Sequence, residues 1–232
     1  MELEFLHPIF NSNGSSYSGY AITLSSRIKL VRQTFLVVEL PFVKASYTSI
    51  STNQDESSLG NPYIGIQFSG EGSKFFGEIG FRPPFMPEKK YLAESIGLIT
   101  DFDRFEAYVP NYLQVSGAVN FQTQFSPVFG VRIRLGPSVN FRVKGNSDGD
   151  LYAAYAVLLE FQKEQFSAGG GYAARSLLTR SGVTDRTVDA VEFSAKIRFD
   201  RIQPGVQVRL PLDEYLSITL DMVYGISVGV VL

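Results

Sequence analysis

The chain has 232 residues, of which 19% are charged and 13% aromatic through 19 Phe and 12 Tyr, with a formal net charge of -2. The absence of cysteine excludes disulfide scaffolds, thiolate metal sites and cysteine nucleophiles, and a single histidine, His7, rules out most imidazole chemistry. The near-neutral charge gives no electrostatic basis for nucleic acid as a partner, and no stretch approaches the roughly 18 apolar residues of a transmembrane helix.

A period of two dominates the sequence. In chain order it predicts eleven amphipathic strands, at about 18–30, 34–48, 62–71, 75–84, 112–125, 128–143, 151–163, 166–178, 187–199, 203–211 and 223–232. In 128–143, for example, Phe129, Val131, Ile133, Leu135, Val139, Phe141 and Val143 share one parity, while Arg132, Arg134, Ser138, Asn140 and Arg142 share the other. The connections alternate between short turns (31–33, 72–74, 126–127, 164–165, 200–202) and longer links (49–61, 85–111, 144–150, 179–186, 212–222), the rhythm of an up-and-down meander. An even count requires one more strand, which 2–10 supplies through Leu3, Phe5 and Ile9; the expectation is twelve strands, with ten as the alternative. Within the longest link, residues 87–109 place Tyr91, Leu98, Phe102, Phe105 and Val109 near helical spacing behind Pro87 and Glu88, which predicts one or two short helices.

Alternation alone fits a soluble β-sandwich as well as a membrane barrel. Strand length separates them: about 12 residues at roughly 3.3 Å each, tilted by about 45°, cross a hydrocarbon layer of about 25 Å, whereas globular strands average about five or six residues. Phe42, Phe81, Phe125, Phe129, Phe141, Phe161 and Phe199 fall near the ends of apolar faces, as in an interfacial girdle. Lipid cannot satisfy backbone polar groups, so the sheet must close. The fold expected is therefore all-β: one closed antiparallel up-and-down transmembrane β-barrel over 1–232, with 87–109 as a helical loop insert. Its place would be the bacterial outer membrane, with an export leader expected to precede this numbering and barrel-assembly machinery and outer-membrane lipid as partners. The ending Ile226, Val228, Val230, Leu232 looks like the closing-strand signal that such machinery reads, with Leu in place of the usual Phe.

The stretch 37–68 carries Leu40, Pro41, Phe42 and Val43, then Leu59, Gly60, Asn61, Tyr63 and Gly65. It resembles the bacterial outer-membrane barrels associated with the phenol-degradation meta-pathway, which have a similar Leu-Pro-aromatic strand and a Gly-Asp/Asn turn. That resemblance covers about thirty residues and implies a transporter of small, frequently hydrophobic compounds.

The polar parity assigns to the lumen a basic set, Arg27, Lys29, Arg82, Arg132, Arg134, Arg142, Arg175, Lys196, Arg198 and Arg209, and an acidic set, Glu39, Glu78, Glu160 and Glu192. Ten against four leaves an excess of six positive charges, which must pair or meet water. Asp55, Glu56, Asp101, Asp103, Glu106, Asp148, Asp150, Asp185, Asp213 and Glu214 are expected in the long-rim loops instead. Tyr91, Leu98, Phe102 and Phe105 are candidates for a gate or plug, or for residues that only pack the insert onto the barrel. The glycine run at 169–171 lacks the Lys-Ser/Thr of a phosphate loop, and 146–150 reads as a turn rather than a calcium loop. No cofactor and no catalytic residue are expected, since barrel hydrolases pair serine or aspartate with histidine and His7 sits beside Pro8 in a weakly patterned segment.

Three functions follow: a channel or transporter passing small anionic or hydrophobic solutes through a basic lumen, a structural or adhesive barrel with a closed, salt-bridged interior, or a soluble β-sandwich binding module.

Overall fold

A computed structural model of the chain describes residues 1–11, 16–49, 52–144, 149–179 and 187–231. Long amphipathic segments pair antiparallel in sequence order, except that the fourth and fifth strands both pair with the third. The strands are β1 (Glu2–Phe10), β2 (Ser16–Val31), β3 (Thr34–Thr48), β4 (Asn53–Leu59), β5 (Tyr63–Ser69), β6 (Phe75–Arg82), β7 (Tyr112–Gln124), β8 (Phe129–Arg142), β9 (Asp150–Lys163), β10 (Phe166–Leu177), β11 (Thr187–Ile197), β12 (Ile202–Pro211) and β13 (Leu220–Val230). Pairing of β1 with β13, from Glu2 opposite Gly229 to Phe10 opposite Leu220, closes the sheet. The result is a twelve-strand barrel, because β4 and β5 occupy a single strand position: β5 pairs with residues 34–39 of β3 and β4 with residues 42–48. A sandwich is thereby excluded, and β1 is the twelfth strand expected.

The one strand missed from the sequence is β4, which lies inside the span expected to be the link 49–61. Of its outward residues Asn53, Asp55, Ser57 and Leu59 only the last is apolar, so the alternation has little contrast there.

The distribution of side chains is the reverse of that in a water-soluble protein. Phe68, Val119, Leu135, Leu159, Phe193, Val206 and Ile226 are about half exposed on the outside, whereas Arg82, Asn120, Asn140 and Arg209 are buried inside. An outer surface this apolar matches hydrocarbon, not water. Phe75 and Phe121, with ring centroids 5.0 Å apart, and Phe129 and Phe161, at 5.2 Å, belong to an aromatic band near the short-turn rim.

The insert folds into the barrel. Helix α1 (Tyr91–Thr100) buries Ala93, Ile96, Gly97 and Thr100, one face at i, i+3, i+4 and i+7 spacing. This face packs into a cluster with the inward Leu6, Ala21, Val43, Ala45, Leu220 and Val223. Lys90, at the start of α1, makes no side-chain cap. Glu56 of β4 supplies it instead, accepting the Leu92 and Ala93 amides at 3.0 and 3.1 Å, where a carboxylate also meets the positive end of the helix dipole. A 3-10 segment (Phe102–Tyr108) follows and buries Phe102, Glu106, Ala107 and Tyr108. A second short helix, α2 (Glu214–Ser217), precedes β13. No helix among the described residues is long and apolar enough to cross a membrane.

Candidate functional site

The clamp that holds the insert is the junction between β4 and β5. Asn61, fully buried, donates its side-chain amide to the carbonyls of Glu106 at 2.8 Å and Val109 at 2.7 Å. Its side-chain oxygen accepts the Phe85 and Met86 amides, each at 2.8 Å, and its own amide reaches the Ala107 carbonyl at 2.6 Å. One side chain thus ties together the entry and exit of the insert. Gly60 is required beside it, because a Cβ there would lie 2.4 Å from the Ala107 carbonyl oxygen. Gly60 also donates to the Pro41 carbonyl at 2.9 Å, so Pro41, Gly60 and Asn61, three of the residues that carry the family resemblance, converge on the insert.

Below the clamp the 3-10 segment meets the charged barrel wall. Arg209 of β12 lies 3.1 Å from Asp101, 3.4 Å from Asp103, 3.3 Å from Glu192 and 3.7 Å from Glu4. Arg104 bridges Asp101 at 2.8 Å and also pairs with Glu4. Arg175 pairs with Glu106 and donates to the Asp103 carbonyl at 2.7 Å. Arg82 pairs with Glu39 and donates to the Asn61 carbonyl at 3.2 Å. Guanidiniums suit this task, since their rigid donor fork serves several acceptors at once and a buried charge must be paired. Burial alone would raise the Asp103 carboxyl; Arg209, a side-chain hydrogen bond with Glu192, Arg175 and Arg104 outweigh it and hold the group below the ordinary aspartate range.

Asp101, Asp103 and Glu106 were expected at the long rim and lie instead among the interior arginines. Glu56 and Asp150 depart from that expectation as well, Glu56 as the helix cap and Asp150 as a buried residue of β9. Asp148, Asp185 and Leu232, with the expectations attached to them, fall outside the described residues, as do residues 146 and 147 of the turn. The predicted excess of six positive charges disappears accordingly: six arginines and five carboxylates line the interior cavity, with Glu4 and Asp101 paired just behind them.

This cavity has a volume of about 400 Å³ and lies between the insert and the wall of β3 and β5 to β12. Among the predicted residues, Glu39, Glu78, Arg82, Arg132, Arg134, Arg175, Glu192 and Arg209 line it. Glu78 accepts the Tyr63 hydroxyl at 2.7 Å, and Arg132 pairs with Glu160 at 2.7 Å. Lys196 pairs with Glu2 at 2.6 Å. Four others, like Glu160 and Lys196, are not among the residues that line the cavity. Arg27 stacks 3.9 Å over Phe35 and, like Lys29, is exposed near the short rim; Arg142 is exposed at the far end of β8, 5.4 Å over Tyr112; Arg198 lies beyond β11 in a short-rim turn.

Of the four candidates in the insert, Phe102 is buried and Leu98 packs against the interior cluster. Phe105 lies between Arg175, 4.8 Å over its ring, and Tyr152, with ring centroids 5.4 Å apart. Tyr91 is 70% exposed. His7 is on the outer parity of β1, its ring 5.1 Å from Tyr224. Among the described residues no group of three or more His, Asp or Glu could hold a metal ion.

No protein-family model matches the sequence, and no curated protein matches it. Solved structures do. An outer-membrane channel from Pseudomonas putida F1 aligns over 100% of this chain and 94% of its own, with a TM-score of 0.66 and 10% identity. The NanC porin aligns over 99% and 100%, with a TM-score of 0.59 and 9% identity. LpxR from Salmonella typhimurium, an enzyme, aligns over 100% of both chains, with a TM-score of 0.56 and 11% identity. At such identities the likeness is one of fold, and the chain has the fold of outer-membrane β-barrels.

Proposed function

We propose that the protein is an outer-membrane channel that passes small solutes along a polar, arginine-lined interior narrowed by its own inward-folded insert. The observation that carries this reading is the 400 Å³ cavity between the insert and the wall, lined by charged and amide side chains inside an apolar-surfaced barrel. Charged residues confined in this way set selectivity by their field, and a space of this size fits solutes of low mass. Channels and porins with the same fold add support. Outer-membrane lipid would then cover the apolar face, and the barrel-assembly machinery would insert it. The phenol-degradation resemblance belongs to the same proposal, as does transport of the small apolar compounds that it implies.

The Arg209 network favours a second reading, a structural barrel whose interior is closed by ion pairs. Swelling of proteoliposomes in iso-osmotic solutions of small sugars and organic anions separates the two. The channel reading expects swelling that slows with solute size. A folded barrel giving no swelling with any solute sinks it in favour of the closed interior.

A further inference from the structure

We propose that the interior cavity contains a binding site for small carboxylates with a compact apolar body, formed by Arg134 beside an alanine floor. The inference rests on reading the cavity as a solute path and names the class of solute.

Five of the six arginines that line the cavity are committed: Arg82 to Glu39, Arg104 to Glu4 and Asp101, Arg132 to Glu160, Arg175 to Glu106, and Arg209 to four carboxylates. Arg134 differs. It faces the same cavity and is exposed within it, and no ion pair or hydrogen bond joins its side chain to another described residue. Its cross-strand neighbours are uncharged, Asn120 on β7 and Ala156 on β9, and the carboxylate within electrostatic reach, Glu39, is already paired with Arg82.

One part of the wall beside it is built of small apolar groups. Ala154 and Ala156 lie on the inward parity of β9, Ala173 is directly opposite Ala156 on β10, and Ala118 lines the same space from β7. Leu158 completes the patch opposite Arg132. On the other side of the barrel, the inward Leu6, Val43, Leu220 and Val223 fill the space between wall and insert. Here alanines stand where such side chains would fit, and the space is open. A guanidinium fork binds a carboxylate in two parallel hydrogen bonds, strengthened where water is restricted. Methyl groups beside it take up apolar area but offer nothing to hydroxyls, so a polyol seated on the alanine patch would leave the groups facing it unsatisfied. The combination selects a carboxylate on an apolar frame over both a bare small anion and a neutral sugar.

Fluorine NMR of the folded protein in detergent tests this with 4-fluorobenzoate, 4-fluorobenzyl alcohol and fluoroacetate as probes. The site predicts that 4-fluorobenzoate binds the native protein, and that the alcohol and fluoroacetate bind about tenfold more weakly or less. Arg134→Gln should weaken 4-fluorobenzoate by about tenfold, the size of one charge-assisted contact. Ala156→Leu, which fills the floor without touching charge, should weaken it comparably. Retention of binding in folded Arg134→Gln, equal binding of fluoroacetate, or no binding of 4-fluorobenzoate to the native protein at millimolar concentration overturns the proposal. The readout is equilibrium binding, so a barrel that binds the probe but swells no liposomes refutes the channel and leaves the site standing, and the converse refutes the site alone.

Discussion

The side-chain amide of Asn61 donates to the carbonyl of Val109 at 2.7 Å, joining two residues 48 positions apart, at the point where the insert rejoins the barrel. Because the same side chain also accepts from Phe85 and Met86 and donates to Glu106, the insert is gripped at both ends by one buried amide.

Asn61→Ala therefore orphans two carbonyls and two amides. Each unsatisfied buried group costs about 1–3 kcal/mol, with partial relief from any water that enters. Protease cleavage within 87–109 is expected to accelerate at least tenfold in the variant, while heat-modifiable gel migration still reports a folded barrel. Equal protection in both proteins contradicts the clamp.

Glu56 caps a helix from a neighbouring strand, so Glu56→Ala removes the acceptor for Leu92 and Ala93. A loss of about 1 kcal/mol is expected at the first turn of α1. Hydrogen exchange at those two amides should speed up about fivefold, with strand amides unchanged.

Acid should release the insert. The Asp103 carboxyl is held below its ordinary range in the folded state, so its contribution is fully present above the ordinary value of about 3.9 and is lost as pH falls through the lower, folded value. Corrected for intrinsic rates, exchange in the segment 101–108 should rise as pH falls below about 4. Asp103→Asn should raise it already at neutral pH and flatten the acid dependence. At the long rim, Glu88, whose carboxyl is lowered by its hydrogen bond from Lys144, is exposed; Glu88→Gln should leave the insert's protection unaltered.

Much of this architecture was legible because an apolar outer face and a charged inner one give a period of two its strongest contrast. Where that contrast fails, so does the reading. In β1 the inward Leu6, Pro8 and Phe10 are as apolar as the outward Leu3, Phe5 and Ile9, because part of that inner face packs against the insert. The blurring hid Glu2 and Glu4, the latter a partner of Arg104 and Arg209. Asp101, Asp103 and Glu106 were assigned to a rim because helical spacing reveals a helix but not the direction in which its loop folds. The only available signal was the charge imbalance, ten basic residues against four acidic ones, which required further carboxylates from somewhere in the chain.

The most direct test of the central claim, a polar path narrowed by the insert, is single-channel recording in planar bilayers of the native barrel and of a variant with residues 88–108 replaced by a short glycine-serine turn. The account predicts a small conductance for the native protein and one several-fold larger for the variant. Equal conductances, or none from either folded barrel, would contradict it.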